Sequence, residues 1–333
     1  MAQNTQNKKS TRPHESHRFA RRTLNPVDFD MLDSGLLHDS SAAESVLGTS
    51  EWKTRAAVHL ERVQRWTQPH RERRSRREVH PVYDFLFQYY SYSGGRLESW
   101  HPAPHEVLVD SKEARERFKR PEYHATDGLI RRNTSALSTA ERDRLDQVLH
   151  VLCATRDRPA NFGCFGMHEW AMVYGGHDVR HSAIAPLRLS QEQVDTFVES
   201  RPVACSHFDA FRFFAPAAKP LNRVPLSWST RHVVEQPGCI HANMDLYRWA
   251  YTSMPWIGSD LLWDCFALAA DLRVLDMQAG PYDLRSIGFA PVCVETSEGR
   301  EEYQRRQREL SERASVLRAR LIDAIGSLKP ANR

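Results

Sequence analysis

The stretch SDLLWDCFALAADLRVLDMQ, residues 259–278, decides the fold class. Leu261, Leu262, Cys265, Phe266, Ala269 and Leu272 fall on one helical stripe, while Asp260, Asp264 and Asp271, at i, i+4 and i+11, share another. Working outward, residues 242–254 carry helical character again. Toward the C-terminus, residues 298–327 place Leu310, Ala314, Leu317, Leu321, Ala324 and Leu328 at alternating i+4 and i+3 steps among many Arg and Glu. That pattern predicts an amphipathic surface helix. Toward the N-terminus, Ser190 opens SQEQVDTFVES, and Ser138 precedes Thr-Ala-Glu141 in a capping-box pattern that starts a helix running to about Cys153. Pro81 is expected to begin an aromatic helix over 81–92, and Trp52, Ala56, Leu60, Val63 and Trp66 give helical spacing over 51–67. The strand candidates are Val107–Val109 and residues 290–296; residues 203–214 fit strand or helix. The expectation is a mainly α protein: one large helical domain over 51–328 with minor β, preceded by a flexible basic and polar tail, 1–50.

The chain has 333 residues, 41% hydrophobic and 26% charged, with a net charge of +4. This apolar content excludes a wholly disordered chain. No run approaches the ~18 consecutive apolar residues of a membrane span, and the N-terminal residues show no secretory pattern. The six cysteines form no C-x-x-C pair, which argues against a zinc ribbon or iron–sulfur site and reads as buried thiols in a reducing compartment. A cytoplasmic protein is expected.

The basic excess lies at the front. Residues 1–80 hold 15 Lys+Arg against 10 Asp+Glu; residues 81–333 hold 31 against 32. The run HRERRSRR, with Arg71, Arg73, Arg74, Arg76 and Arg77, immediately precedes the aromatic segment HPVYDFLFQYYSY. Basic charge beside aromatic faces suits phosphates and unstacked bases; a charged linker next to core aromatics is the structural alternative.

Ionisable residues in apolar context cluster between 164 and 283. His168 and Glu169 stand in GMHEWAMVY, His207 and Asp209 in CSHFDAFRFF, and His241 and Asp245 in PGCIHANMDLYRWAY, with the aspartates of 259–278 beyond. Two chemistries use such residues. Carboxylates among aromatic side chains suit cleavage of an N-glycosidic bond, whose oxocarbenium-like transition state needs a nearby negative charge; Glu169, Asp209 and Asp245 are the candidates, with His168, His207 and His241 beside them. Histidines and carboxylates from several helices also build di-iron-like centres for Fe, Mn or Zn. Here the candidate ligands are Glu169, His207, Asp209, His241, Asp245 and Asp264. Neither Glu-x-x-His nor H-E-x-x-H is present, since Met172 stands where the second histidine would be. Each of these residues has a structural alternative, as a hydrogen-bonded core group or a solvated helix face.

The segments HPVYDFLFQYYSY, NFGCFGMHEWAMVY, CSHFDAFRFFAPAAKPLN, EQPGCIHANMDLYRWAY and DLRVLDMQAGPYDL resemble a bacterial, mainly actinobacterial, family commonly given the name 3-methyladenine DNA glycosylase. The resemblance covers about residues 51–325, and no helix-hairpin-helix signature accompanies it. It implies a DNA base-excision enzyme without a cofactor, acting on DNA with alkylated bases and using Arg71–Arg77 on phosphate. The alternatives are a metal-dependent enzyme of other function, and a non-catalytic nucleic-acid-binding protein acting through the basic segment and the C-terminal helix.

Overall fold

The computed structural model describes residues 44–176 and 185–328. Twelve α-helices and one four-stranded sheet are found among them, so the mainly α expectation holds. The helices are α1 (Thr49–Ser75), α2 (Phe85–Tyr89), α3 (Gly94–Glu98), α4 (Lys112–Arg117), α5 (Thr139–Arg156), α6 (Met167–Val173), α7 (Gln191–Glu199), α8 (Phe208–Phe211), α9 (Arg231–Val234), α10 (Ile240–Thr252), α11 (Ser259–Ala279) and α12 (Ser297–Gly326).

The deciding stretch is α11, and it is more deeply buried than one apolar stripe implies. Leu262, Cys265, Phe266, Leu268, Ala269, Leu275 and Met277 are fully enclosed. Its neighbours are α10 on one side and α12 on the other. The C-terminal helix α12 buries Tyr303, Leu310, Ala314, Leu317, Leu321 and Ile325, as its spacing predicts, and turns most of its charges outward; Arg318 is the exception, buried and donating to Asn243 of α10. Asp264 and Asp271 of α11 reach across to it, pairing with Arg320 and Arg313 at 2.7 and 2.8 Å. Both capping boxes form: Ser138 with Glu141 at the start of α5, and Ser190 with Gln193 at the start of α7.

The sheet has the order β1-β2-β4-β3, from β1 (Ser45–Leu47), β2 (Glu106–Val109), β3 (Tyr123–Thr126) and β4 (Leu129–Arg132). β1 and β2 are parallel; β4 is antiparallel to β2 and β3. Asp127 and Gly128, with φ of 49° and 72°, make the tight β3–β4 turn. A second small core of Trp52, Trp100, Leu108, Phe118, Tyr123 and Ile130 lies under this sheet.

Four boundaries differ from expectation. Residues 45–50 belong to β1 and the start of α1 rather than to a tail; the rest of the expected tail, 1–43, lies outside the described residues. Helix α1 runs past Pro69 to Ser75. A proline inside a helix removes one hydrogen bond and crowds a carbonyl, but side chains past that point are anchored: Arg71 to Glu98, and His70 and Arg73 to the buried Asp84. The aromatic helix after Pro81 shrinks to α2, because Asp84 accepts from the His80 backbone N–H and holds 80–84 as a turn. Residues 290–296 form no strand; Val292 bonds to the Gln278 carbonyl, and Thr296 caps α12. No described helix is long and apolar enough to cross a membrane.

Candidate functional site

Six residues singled out in the sequence, His168, Glu169, His207, Asp209, His241 and Asp245, converge in one buried polar cluster between α6, α8, α9, α10 and α11. All six are less than a tenth exposed. Two left-handed residues, Phe165 and Gly166, turn the chain sharply into α6 and so bring His168 and Glu169 against α11. His207 is the residue preceding α8, with Asp209 in its first turn. His241 and Asp245, spaced i and i+4, share a face of α10.

The cluster has two lobes joined by a histidine. In the first, His168 Nε2 stands 3.0 Å from Asp276 Oδ1 and 3.8 Å from Glu169 Oε1. Arg273 donates from Nη1 to Glu169 at 2.8 Å and to Asp276 Oδ2 at 2.7 Å, and its guanidinium lies 3.8 Å from the centre of the Phe85 ring. In the second lobe, Asp245 accepts from Arg231 at 2.7 Å and from the Tyr90 hydroxyl at 2.8 Å, and lies 3.2 Å from His207 Nε2. Arg231 also donates to Glu235 at 2.6 Å, and Arg248 donates to Asp209 at 2.9 Å. His241 stands between the lobes: its ring centre is 4.3 Å from that of His168 and 5.4 Å from that of His207.

Electrostatics follow from burial set against these contacts. Burial alone would deprotonate His168, but Asp276 holds its pKa well above the ordinary value. Burial likewise opposes ionisation of Glu169 and Asp245, yet Arg273 beside the first and His207 and Arg231 beside the second keep both pKa values below the usual carboxylate range. Burial, then the neighbouring His168, pushes His241 down to about 3, so it is a neutral imidazole and a competent ligand.

Five carboxylates (Glu169, Asp209, Glu235, Asp245, Asp276) face four guanidiniums: Arg231, Arg248 and Arg273, and Arg212, whose Nε stands 3.6 Å from Asp209 Oδ1. With His168 held protonated beside Asp276, the formal charges balance, as a buried site requires. A divalent cation binding here would displace the His168 proton. Two sets of side chains present ligand atoms within 4.8 Å of one another: His168, His241 and Asp276, and His207, Glu235 and Asp245.

Other expectations need correction. Asp264 is not a member of the cluster, because it faces α12 and pairs with Arg320. The aspartate of α11 that enters the site is Asp276, twelve residues on, which the sequence marks only as one of the four aspartates of that stretch; Arg273, Arg231, Glu235 and Tyr90 carry no mark there. Their signal in the sequence was weak, since a lone Arg or Asp in an apolar helix reads equally as surface. The Arg run is not a free cationic strip either. Arg73 is clamped on Asp84 through two nitrogens, while Arg71 pairs with Glu98 and Arg76 with Glu78. Arg71, Arg74 and Arg77 do line a cleft of about 830 Å³ with Phe87 and Tyr92, but the His–carboxylate cluster does not open into it. Comparison with protein-family models, curated proteins and solved structures gives no match.

Proposed function

We propose that the protein is an enzyme whose reacting centre is this buried cluster, and that the centre works with a divalent metal ion held by His168, His241 and Asp276. One observation carries the reading. His168 Nε2 and Asp276 Oδ1 lie 3.0 Å apart, yet neither atom makes a hydrogen bond of acceptable geometry. The pair is close but not aligned as a hydrogen bond, and a metal ion displacing the His168 proton could take both atoms as ligands. Two histidine nitrogens and a carboxylate oxygen within 4.8 Å of one another suit Fe, Mn or Zn. Arg273 occupies the other oxygen of Asp276 and orients the carboxylate, the outer-shell role that metal ligands ordinarily require. Such an ion would act as a Lewis acid or activate a water.

Elemental analysis of the purified chain after reconstitution with Fe(II), Mn(II) or Zn(II) tests this. About one equivalent of metal, lost in Asp276→Asn and in His241→Gln, is the expected result. A wild-type protein that retains no metal would overturn it.

A second reading, base excision from alkylated DNA, is favoured by Asp245: a carboxylate held ionised by Arg231 and bonded to the ring hydroxyl of Tyr90. This is the electrostatic arrangement an oxocarbenium-like transition state needs. It requires release of methylated base from DNA that Asp245→Asn abolishes while metal content stays unchanged.

A further inference from the structure

A cavity of about 400 Å³ lies on the outer side of the second lobe, between α5, α9 and α10. It is lined by Trp228 and Trp249 and by the cations Arg144, Arg231 and Arg248, with His150 and His232 beside them and no carboxylate in the lining. The tryptophans and arginines are interleaved. The Arg231 guanidinium lies 4.9 Å from the Trp228 ring centre and 5.4 Å from that of Trp249; for Arg248 the distances are 5.7 and 5.0 Å. Trp228 is 58% exposed, although it belongs to a short helical turn tied down by the Ser227–Thr230 capping box. A large ring held rigidly and left uncovered is a feature of recognition sites rather than of core packing. Arg248 spends Nη1 on Asp209, and its Nε and Nη2 make no hydrogen bond to any described residue.

We infer that this cavity binds a nucleotide unit, with the base against the exposed ring of Trp228 and the phosphate on the Arg144–Arg248 side. Volume, rings and sign of charge agree: the space lies in the ~300–1,000 Å³ range of small-ligand sites, aromatic faces accept any base by stacking, and a guanidinium pairs two nitrogens with a phosphate. The inference deepens the reading of the buried cluster as a reacting centre and rests on it for its consequence. Arg231 and Arg248 belong to both, so an occupied cavity sits one side chain away from Asp245. The nucleotide has two possible sources, a free mononucleotide or one residue of a single strand.

Quenching of tryptophan fluorescence, in parallel titrations with adenosine 5′-monophosphate, adenosine, inorganic phosphate and a single-stranded decanucleotide, tests the inference. The monophosphate is expected to quench at lower concentration than adenosine or phosphate. Trp228→Ala should weaken it about 10- to 100-fold, as loss of one base stack does, and Arg144→Gln should weaken it without changing the adenosine titration. Both side chains are exposed, so neither variant endangers the fold. Tighter binding of the decanucleotide than of the monophosphate, still dependent on Trp228, supports the inference and assigns the site to single strands. Absence of quenching by any nucleotide, or quenching indifferent to both variants, overturns it. Metal content is measured on the same samples: nucleotide binding by a metal-free wild-type chain would leave the cavity standing and remove the metal.

Discussion

Lowering the pH from 7 to 5 should cost the protein about 4 kcal/mol through two histidines far from the cluster, His59 and His80. His59 is enclosed between α1 and α3. Its Nε2 donates to the Leu97 carbonyl at 2.9 Å, and its Nδ1 accepts from Arg62 at 3.0 Å. Both nitrogens are therefore committed in the neutral form, and a second proton would have to displace a guanidinium. Burial, with Arg62 adding to it, lowers the pKa from 6.5 to about 4. His80 uses Nδ1 as an acceptor for the backbone N–H groups of Val82 and Tyr83, and burial, then Arg73, brings it also to about 4. Both folded values lie below the unfolded one, so below pH 6.5 the unfolded chain takes up the proton first. Stability is lost between pH 6.5 and 4 and changes no further below. For each group, values of 6.5 and about 4 give about 2 kcal/mol at pH 5. Four of the 5–15 kcal/mol typical of a folded protein is a large share. Urea unfolding followed by circular dichroism at both pH values, on the wild type and on a His59 variant, isolates the His59 share of it. His59→Gln keeps a donor for Leu97 and an acceptor for Arg62 but cannot titrate, so it should reduce the pH-dependent loss by about 2 kcal/mol, whatever it does to stability at pH 7. If the variant loses as much between pH 7 and 5 as the wild type does, His59 is not the neutral, doubly bonded group described here.

Three substitutions probe other parts of the structure. Arg273→Met leaves Glu169 and Asp276 facing each other without their cation and should destabilise the fold by roughly 3–5 kcal/mol, as breaking a buried ion pair does; added Mn(II) should recover part of the loss in thermal melting if the ion binds there. Gly299→Ala would place a Cβ 1.9 Å from the Cys293 carbonyl oxygen, so the first turn of α12 must move, with an expected loss of about 1–3 kcal/mol in urea unfolding. Ser138→Ala removes the cap of α5 at an exposed position and should cost only about 1 kcal/mol by the same measurement.

The readable parts of the fold are those whose physics is local. Capping boxes at Ser138 and Ser190, the long stripe of α12 and the glycines around α6 are short-range signals, and each marks an element that forms. The β3–β4 hairpin was equally local, since Asp127-Gly128 is a turn dipeptide, but its strands are four residues each and alternate poorly. What could not be read is long-range anchoring: α1 survives Pro69 because Glu98 and Asp84, far along the chain, hold its last turns. The candidate site follows the same division. Histidines and acids in aromatic context pointed to six cluster members, whereas Asp276 and Asp264 occupy the same helix with the same local surroundings. Only the packing of α6 on one side and α12 on the other separates a buried group from an ion-paired surface one.

The cluster is hard to account for as packing alone. Replacing a buried ion network by apolar side chains of similar volume is often neutral or stabilising, and the core around this one is already rich in such side chains, with Ile240, Met244 and Leu275 on the same helices. Three guanidiniums, five carboxylates and three imidazoles in one interior therefore contribute little that aliphatic residues would not. Their arrangement also differs from what stability favours. Within it His168 Nε2, His207 Nδ1 and Asp276 Oδ1 make no hydrogen bond among the described residues, as do scattered single atoms elsewhere such as Trp52 Nε1 and Ser253 Oγ, but only here do several such atoms lie among charged groups a few ångström apart. Such a concentration is where a group from outside the chain could be used, whether a metal ion at His168 and Asp276 or a proton passing between neighbouring rings through the neutral His241.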